Sequence, residues 1–237
     1  RNVSAQPQQQ TAVQLKQRVT TNEVESNKSS QQLIALNIQF YDPKEFLNSV
    51  NQSVSVPFFK LCQLFLDKSI DLCVKHYQLD PTVIQVDQIF NAEGATLSTM
   101  GEQENALECL MMIGAVFQLL SDVLYKRYRE DKRFALQTRG AVASAVEAMQ
   151  LDAIESAKRL TQHLSAKEAA LHLNHDQLKL IQNCYDLVAM PNPSNIMTRH
   201  AFMIHGMNED CAKLAQNLRT EILMGKKAKV ATDTSTL

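Results

Sequence analysis

The chain has 237 residues, of which 45% are hydrophobic, enough for one domain with a substantial core. Its 24 basic and 25 acidic residues leave a net charge of −1. Phosphate neutralisation dominates nucleic-acid affinity, so a chain without basic excess is a poor candidate for a nucleic-acid partner.

Residues 1–30 are rich in Gln, Ser, Thr and Asn, and they read as a disordered tail. No charged-then-apolar leader pattern opens the sequence as given. Asp42-Pro43 supplies an N-cap with proline in the first turn, which predicts a helix over 43–52. Ser55 and Pro57 predict a longer one over 57–78, and Asp80-Pro81 another over 81–91. AEGATLST is expected to be a loop, and Thr99 to Glu102 reads as a capping box that opens a long helix.

That helix carries an unbroken apolar run from Leu110 to Phe117 and ends in YKRYREDKR. A membrane span needs about 20 predominantly apolar residues, and Glu104, Glu108 and Asp122 bound a shorter window. The expectation is a buried axis, with no transmembrane span. Gly114 is expected to allow close approach of a second helix, GAVASAVEA from Gly140.

No proline occurs from 82 to 190, an interval open to helix. A possible seam falls near Arg139–Gly140. Ser165 to Glu168 forms a second capping box, and Asn174 or Asp176 caps a helix to about 189. MPNPSN forces a turn before helices over 195–205 and 209–224, the last ended by Gly225. Residues 226–237 form a polar, flexible tail, and its end, Thr-Ser-Thr-Leu, is compatible with a peptide-binding domain or a secretion signal. The predicted architecture is all-α, an irregular bundle of about eight helices within 31–225.

Chemistry-bearing residues are sparse. Glu168, His172 and Asp176 follow helical i, i+4, i+8 spacing and are weak metal-ligand candidates. Cys184 with His200 or His205 is a weaker nucleophile–base pair. Lys126, Arg127, Arg129, Lys132 and Arg133 complement a helix C-terminus, or else contact phosphate or an acidic partner. Met197, Phe202, Met203 and Met207 offer an adaptable apolar face for a protein partner. Phosphate-cradling glycine loops are absent, and no cofactor is implied. The five cysteines are widely spaced among apolar residues, as expected of buried free thiols in the cytoplasm.

Together these features predict a helical interaction protein without a catalytic site, a subunit or adaptor that binds other protein subunits and is compatible with a homo-oligomer. The alternatives are a secreted bacterial effector or secretion-system component, and a metal-dependent helical enzyme using the His163–Asp176 region.

Overall fold

The computed structural model describes residues 33–225 and is built on a seven-stranded sheet, so the all-α expectation is overturned. The strands are β1 (Leu33–Tyr41), β2 (Gln85–Asn91), β3 (Gly94–Met100), β4 (Gln137–Ser144), β5 (Ala169–His172), β6 (Tyr185–Ala189) and β7 (Phe202–Met207). Their order across the sheet is β2-β3-β1-β4-β5-β7-β6. The β4–β5 pair is parallel and the other pairs are antiparallel. The helices are α1 (Phe46–Ser49), α2 (Gln52–His76), α3 (Ala106–Glu130), α4 (Ala153–Thr161), α5 (His175–Ile181) and α6 (Glu209–Met224). The pairing of α3 with α2, α6 and the sheet builds one helical layer, while α4 packs on β1, β4 and β5 from the opposite side.

Strand β1 shows why pattern reading failed. Its alternate residues Ile34, Leu36, Ile38 and Phe40 enter the main core under α2 and α3. Ala35, from the other set, joins Ala143, Ala153 and Ala157 in a small cluster beneath α4. Covered on both faces, Leu33 to Leu36 reads as a continuous apolar run, and the period-two signal is confined to Leu36-Asn-Ile-Gln-Phe40. In β4, the small residues of AVAS serve the same close approach: they let α4 sit against the sheet. The expected 140–148 helix is therefore strand up to Ser144 and then a 3-10 turn over Glu147–Met149; Ala141 and Ala143 face α4, while Gly140 and Val142 border the α3 side.

Two further helices become strands. Residues 81–91 form one 3-10 turn, Pro81–Val83, capped by Asp80, and then β2. Residues 195–205 form turns and the first part of β7. The Thr99–Glu102 capping box marks the end of β3 instead of a helix start, because Thr99 pairs with Ile34 in the sheet. The second box does form one of its bonds, Ser165 N–H donating to Glu168 Oε2 at 2.6 Å, but it shapes the turn before β5. Local capping chemistry succeeded where nothing long-range competed: Asn174 and Gln177 build a reciprocal box on α5, and Gly225 ends α6 in the left-handed region.

Helix α3 is long and apolar enough to cross a bilayer by length and composition. Here it is the buried axis, with Leu107, Leu110, Met112, Ile113, Phe117 and Leu120 almost fully enclosed. Arg139–Gly140 lies inside β4, bonded to β1 on one side and β5 on the other. The free-thiol expectation holds for Cys62, Cys73 and Cys109, which are buried. It fails for Cys184 and Cys211, which form a disulfide between the residue before β6 and the first turn of α6, with Cα atoms 5.9 Å apart.

Candidate functional site

The face of β1 toward α4 changes character half-way along. Beyond Ala35 it carries Asn37 and Gln39, opposite Ala141 and Arg139 of β4. Asn37 is fully buried. Its Nδ2 donates to Ala95 O at 3.2 Å and to Thr96 Oγ1 at 3.0 Å. Gln39 Nε2 donates to Asn37 Oδ1 at 2.9 Å and to Lys158 O at 3.1 Å, linking the strand to α4. Lys158 Nζ in turn donates to Gln88 Oε1 at 3.4 Å, and Gln88 Nε2 to Gly94 O at 3.1 Å. The side chains in this chain of bonds are amides, a hydroxyl and an ammonium, with no carboxylate among them.

Where β1 ends, a cleft of about 550 Å³ opens between the β1–α1 connection and the β2–β3 hairpin. Tyr41, Asp42 and Glu45 line one side, Glu93 the hairpin side, and Arg139 also borders it. Asp42 is fixed by local chemistry, its two carboxylate oxygens accepting the N–H groups of Phe46 at 2.9 Å and Leu47 at 2.8 Å. The hairpin is fixed by Gly94, at φ 95°, where an added Cβ would lie 1.9 Å from Ile38 O. Only glycine fits there, and the turn therefore holds Glu93 beside the end of β1.

Arg139 is the cationic group of the cleft. Its Nη1 donates to Leu164 O at 2.6 Å and Gln162 O at 3.3 Å, its Nη2 to Gln39 Oε1 at 3.4 Å, and its guanidinium stands 5.6 Å over the Tyr41 ring. Its buried Nε has no acceptor. Burial pulls this guanidinium below its ordinary pKa, and Tyr41 opposes that. Among the described residues no cluster of three His, Cys, Asp or Glu side chains is placed to hold a metal ion. The cleft is therefore no all-protein metal cage. Its carboxylates do suit an ion of magnesium type, which typically takes one or two carboxylates and completes its shell with phosphate and water.

The residues expected from sequence lie elsewhere. Glu168 precedes β5, His172 ends it, and Asp176 is exposed on α5 in an ion pair with Lys179. A strand and a helix break their supposed common ridge, so they do not come together. His172 Nδ1 is buried without a partner, and burial, with His200 adding to it, lowers the ring's pKa. Met197 is 2% exposed in the small core beneath α4. Phe202 packs on the main core and its neighbour Met203 on the smaller one, as strand alternation requires, and the bulge between Ile204 and Gly206 shifts that alternation so that Met207 also faces the main core. Lys126, Arg127, Arg129, Lys132 and Arg133 are all exposed at the end of α3, with Arg129 over Tyr125 and Arg133 over Tyr128.

Sequence reading passed over Tyr41, Glu93 and Arg139 as site residues. The available signal was Asn91-Ala-Glu-Gly94, a tight turn between two β-rich runs, which reads as a hairpin once β2 is recognised.

No family model matches the chain, and no curated protein sequence does. The fold does have solved counterparts. The adenylyl cyclase CyaB from P. aeruginosa superposes with a TM-score of 0.53 at 10% identity, over 75% of this chain and 95% of that one. A dimeric guanylyl cyclase domain of the RhoGC fusion protein, from the aquatic fungus Blastocladiella emersonii, gives 0.51 at 7% identity, over 74% and 97%. This chain has the fold of nucleotide cyclase domains. That overturns the reading as a helical adaptor or scaffold, and with it the effector and the helical metal-enzyme alternatives, all of which presumed a helical body.

Proposed function

We propose that the cleft at the end of β1 binds a nucleoside triphosphate together with a divalent cation, in the manner of a cyclase-type domain. The observation that carries this reading is the cleft's charge: three carboxylates, Asp42, Glu45 and Glu93, border it with one guanidinium, Arg139. A bare triphosphate would be repelled there, whereas one accompanied by a cation would be accepted. Asp42 and Glu93 would hold the cation, which would neutralise phosphate charge and favour attack at phosphorus. Arg139 supplies positive charge toward the phosphates, and the Tyr41 ring offers a flat surface. Cyclisation joins a ribose hydroxyl oxygen to the α-phosphorus, breaks the bond to the β-phosphate oxygen and releases pyrophosphate. The hydroxyl proton must pass to a base, and Glu45, the exposed carboxylate of the cleft not assigned to the cation, is suited to receive it.

We also read the chain as self-associating. The outer strands β2 and β6 carry exposed aliphatic side chains, with Ile89 65%, Val86 43% and Val188 47% accessible. Exposed apolar edge strands favour pairing with another chain. Light scattering during size-exclusion chromatography measures this directly.

The test of the site is calorimetric titration with ATP and with GTP, each with and without Mg2+, alongside an assay for cyclic nucleotide. The reading expects saturable binding that requires Mg2+ and weakens about tenfold in Glu93→Gln, which corresponds to about 1.4 kcal/mol for the lost carboxylate–cation contact. Absence of binding with both nucleotides overturns it. Binding without cyclic product restricts the assignment to nucleotide recognition.

A further inference from the structure

A second cavity lies on the opposite face of the sheet, between α3 and the strands, and has no part in the nucleotide reading. Its volume is about 360 Å³, within the usual range for small-molecule sites. Ile38, Val142 and Ile204 form its floor, Gly114 and Ala115 its roof, and Gly206 lies on its β7 side.

Two of these glycines are not demanded by the backbone or by packing. Gly114 and Gly206 have no positive φ. A methyl on Gly114 would touch Leu36 Cδ2 at 3.4 Å, and one on Gly206 would reach only Asp186 Oδ2 at 3.7 Å, both ordinary contacts. A glycine inside a helix is otherwise unfavourable relative to alanine. At Gly114, where an added Cβ would meet Leu36 of the lining, the missing side chain leaves the slot open.

The slot's polar chemistry is narrow. Arg139 borders it, but its guanidinium is bound to Leu164 O and Gln39 on the α4 side. Gln118 borders it too, its Oε1 accepting from Thr138 Oγ1 at 3.2 Å and its Nε2 donating one hydrogen to Asp122 Oδ1 at 3.3 Å. An amide nitrogen carries two hydrogens, so one remains for a ligand. We propose that this slot is a binding site for a neutral, largely apolar small molecule of ring type, with one hydrogen-bond acceptor to meet the Gln118 amide. The charged alternative is disfavoured because the lining is mostly apolar and its one permanently charged group, Arg139, has both terminal nitrogens engaged on the α4 side.

The probe is 6-propionyl-2-dimethylaminonaphthalene, a neutral two-ring ketone whose emission moves to shorter wavelength in apolar surroundings. The full chain, which contains no tryptophan to interfere, is titrated at fixed protein concentration. Saturable single-site binding with a blue shift is expected. Ala115→Phe, which fills the slot, should weaken it at least tenfold. If that variant does not fold, Gly114→Ala, which the contact distances tolerate, should weaken it at least threefold. Leu64→Ser, at an exposed position on α2, should leave affinity unchanged. Unsaturable binding, or affinity within twofold of the parent in the folded slot variants, overturns the proposal. So does loss of binding in Leu64→Ser alone. Nucleotide binding is not part of the readout, so failure here and failure of the nucleotide reading are separate results.

Discussion

Asn37→Asp is nearly isosteric, so it isolates the hydrogen-bond logic of the buried network from its packing. In the parent, the Asn37 amide donates to Ala95 O and Thr96 Oγ1 from a position with no solvent exposure. A carboxylate there has no hydrogen to give, and it sets a negative oxygen against a carbonyl. An unpaired acceptor costs about 1–3 kcal/mol, and a buried charge without a partner several more. We expect destabilisation of about 3–5 kcal/mol at pH 8, toward the penalty of an uncompensated buried charge. Burial raises the folded pKa of such an acid above the unfolded value of about 3.9. Between those two values the folded state binds more protons, so the deficit shrinks as pH falls and grows as pH rises through the folded pKa. At pH 5 the protonated acid can donate one bond, and the deficit should fall to about 1–2 kcal/mol. Urea unfolding of parent and variant at both pH values, followed by circular dichroism, measures the difference. A deficit below about 0.5 kcal/mol at both pH values, the range of ordinary surface substitutions, would refute the description of Asn37 as a desolvated donor.

Other parts of the fold give sharper or simpler outcomes. Gly94→Ala places a methyl 1.9 Å from Ile38 O at φ 95°, and should cost more than about 3 kcal/mol, seen as loss of soluble folded protein; a parent-like Tm would contradict the hairpin geometry. His172 has a folded pKa below its ordinary value through burial and His200, so the unfolded chain takes up protons first as pH falls. Stability should therefore decline as pH drops through about 6.5, and His172→Gln should flatten that slope in thermal melts. Reducing the Cys184–Cys211 bond, which closes a separation of 27 residues, should cost up to about 3–4 kcal/mol and lower Tm. Burial pushes the Cys109 thiol up to about 12 and those of Cys62 and Cys73 further, so thiol reagents should label these three only on unfolding.

What the sequence disclosed was local. Asp42 reads as a capping carboxylate, and it does accept the N–H groups of Phe46 and Leu47, but the helix runs only over Phe46–Ser49 behind Glu45 and not over the expected 43–52. Asn174 and Gly225 are legible for the same reason, since each acts on its own turn. The sheet was only partly hidden: LIAL is apolar on both faces and AVAS resembles a helix-packing surface, but Leu36-Asn-Ile-Gln-Phe40 does alternate and was a readable strand signal. Arg139 gives no local signal of a site because its partners are distant in the chain, 23 to 100 residues away. The cleft depends on that distance, joining residues near 41, 93 and 139 that share no motif spacing. Histidine spacing misled for the converse reason: i, i+4, i+8 has meaning only on a continuous helix, and β5 occupies that stretch.

The most direct test of where nucleotide binds is amide hydrogen exchange of the full chain with and without Mg2+ and ATP or GTP. The account predicts slowed exchange in peptides covering 41–48 and 91–94, the two sides of the cleft. Protection confined to 126–133, the exposed basic end of α3, or to no peptide at all, would contradict it.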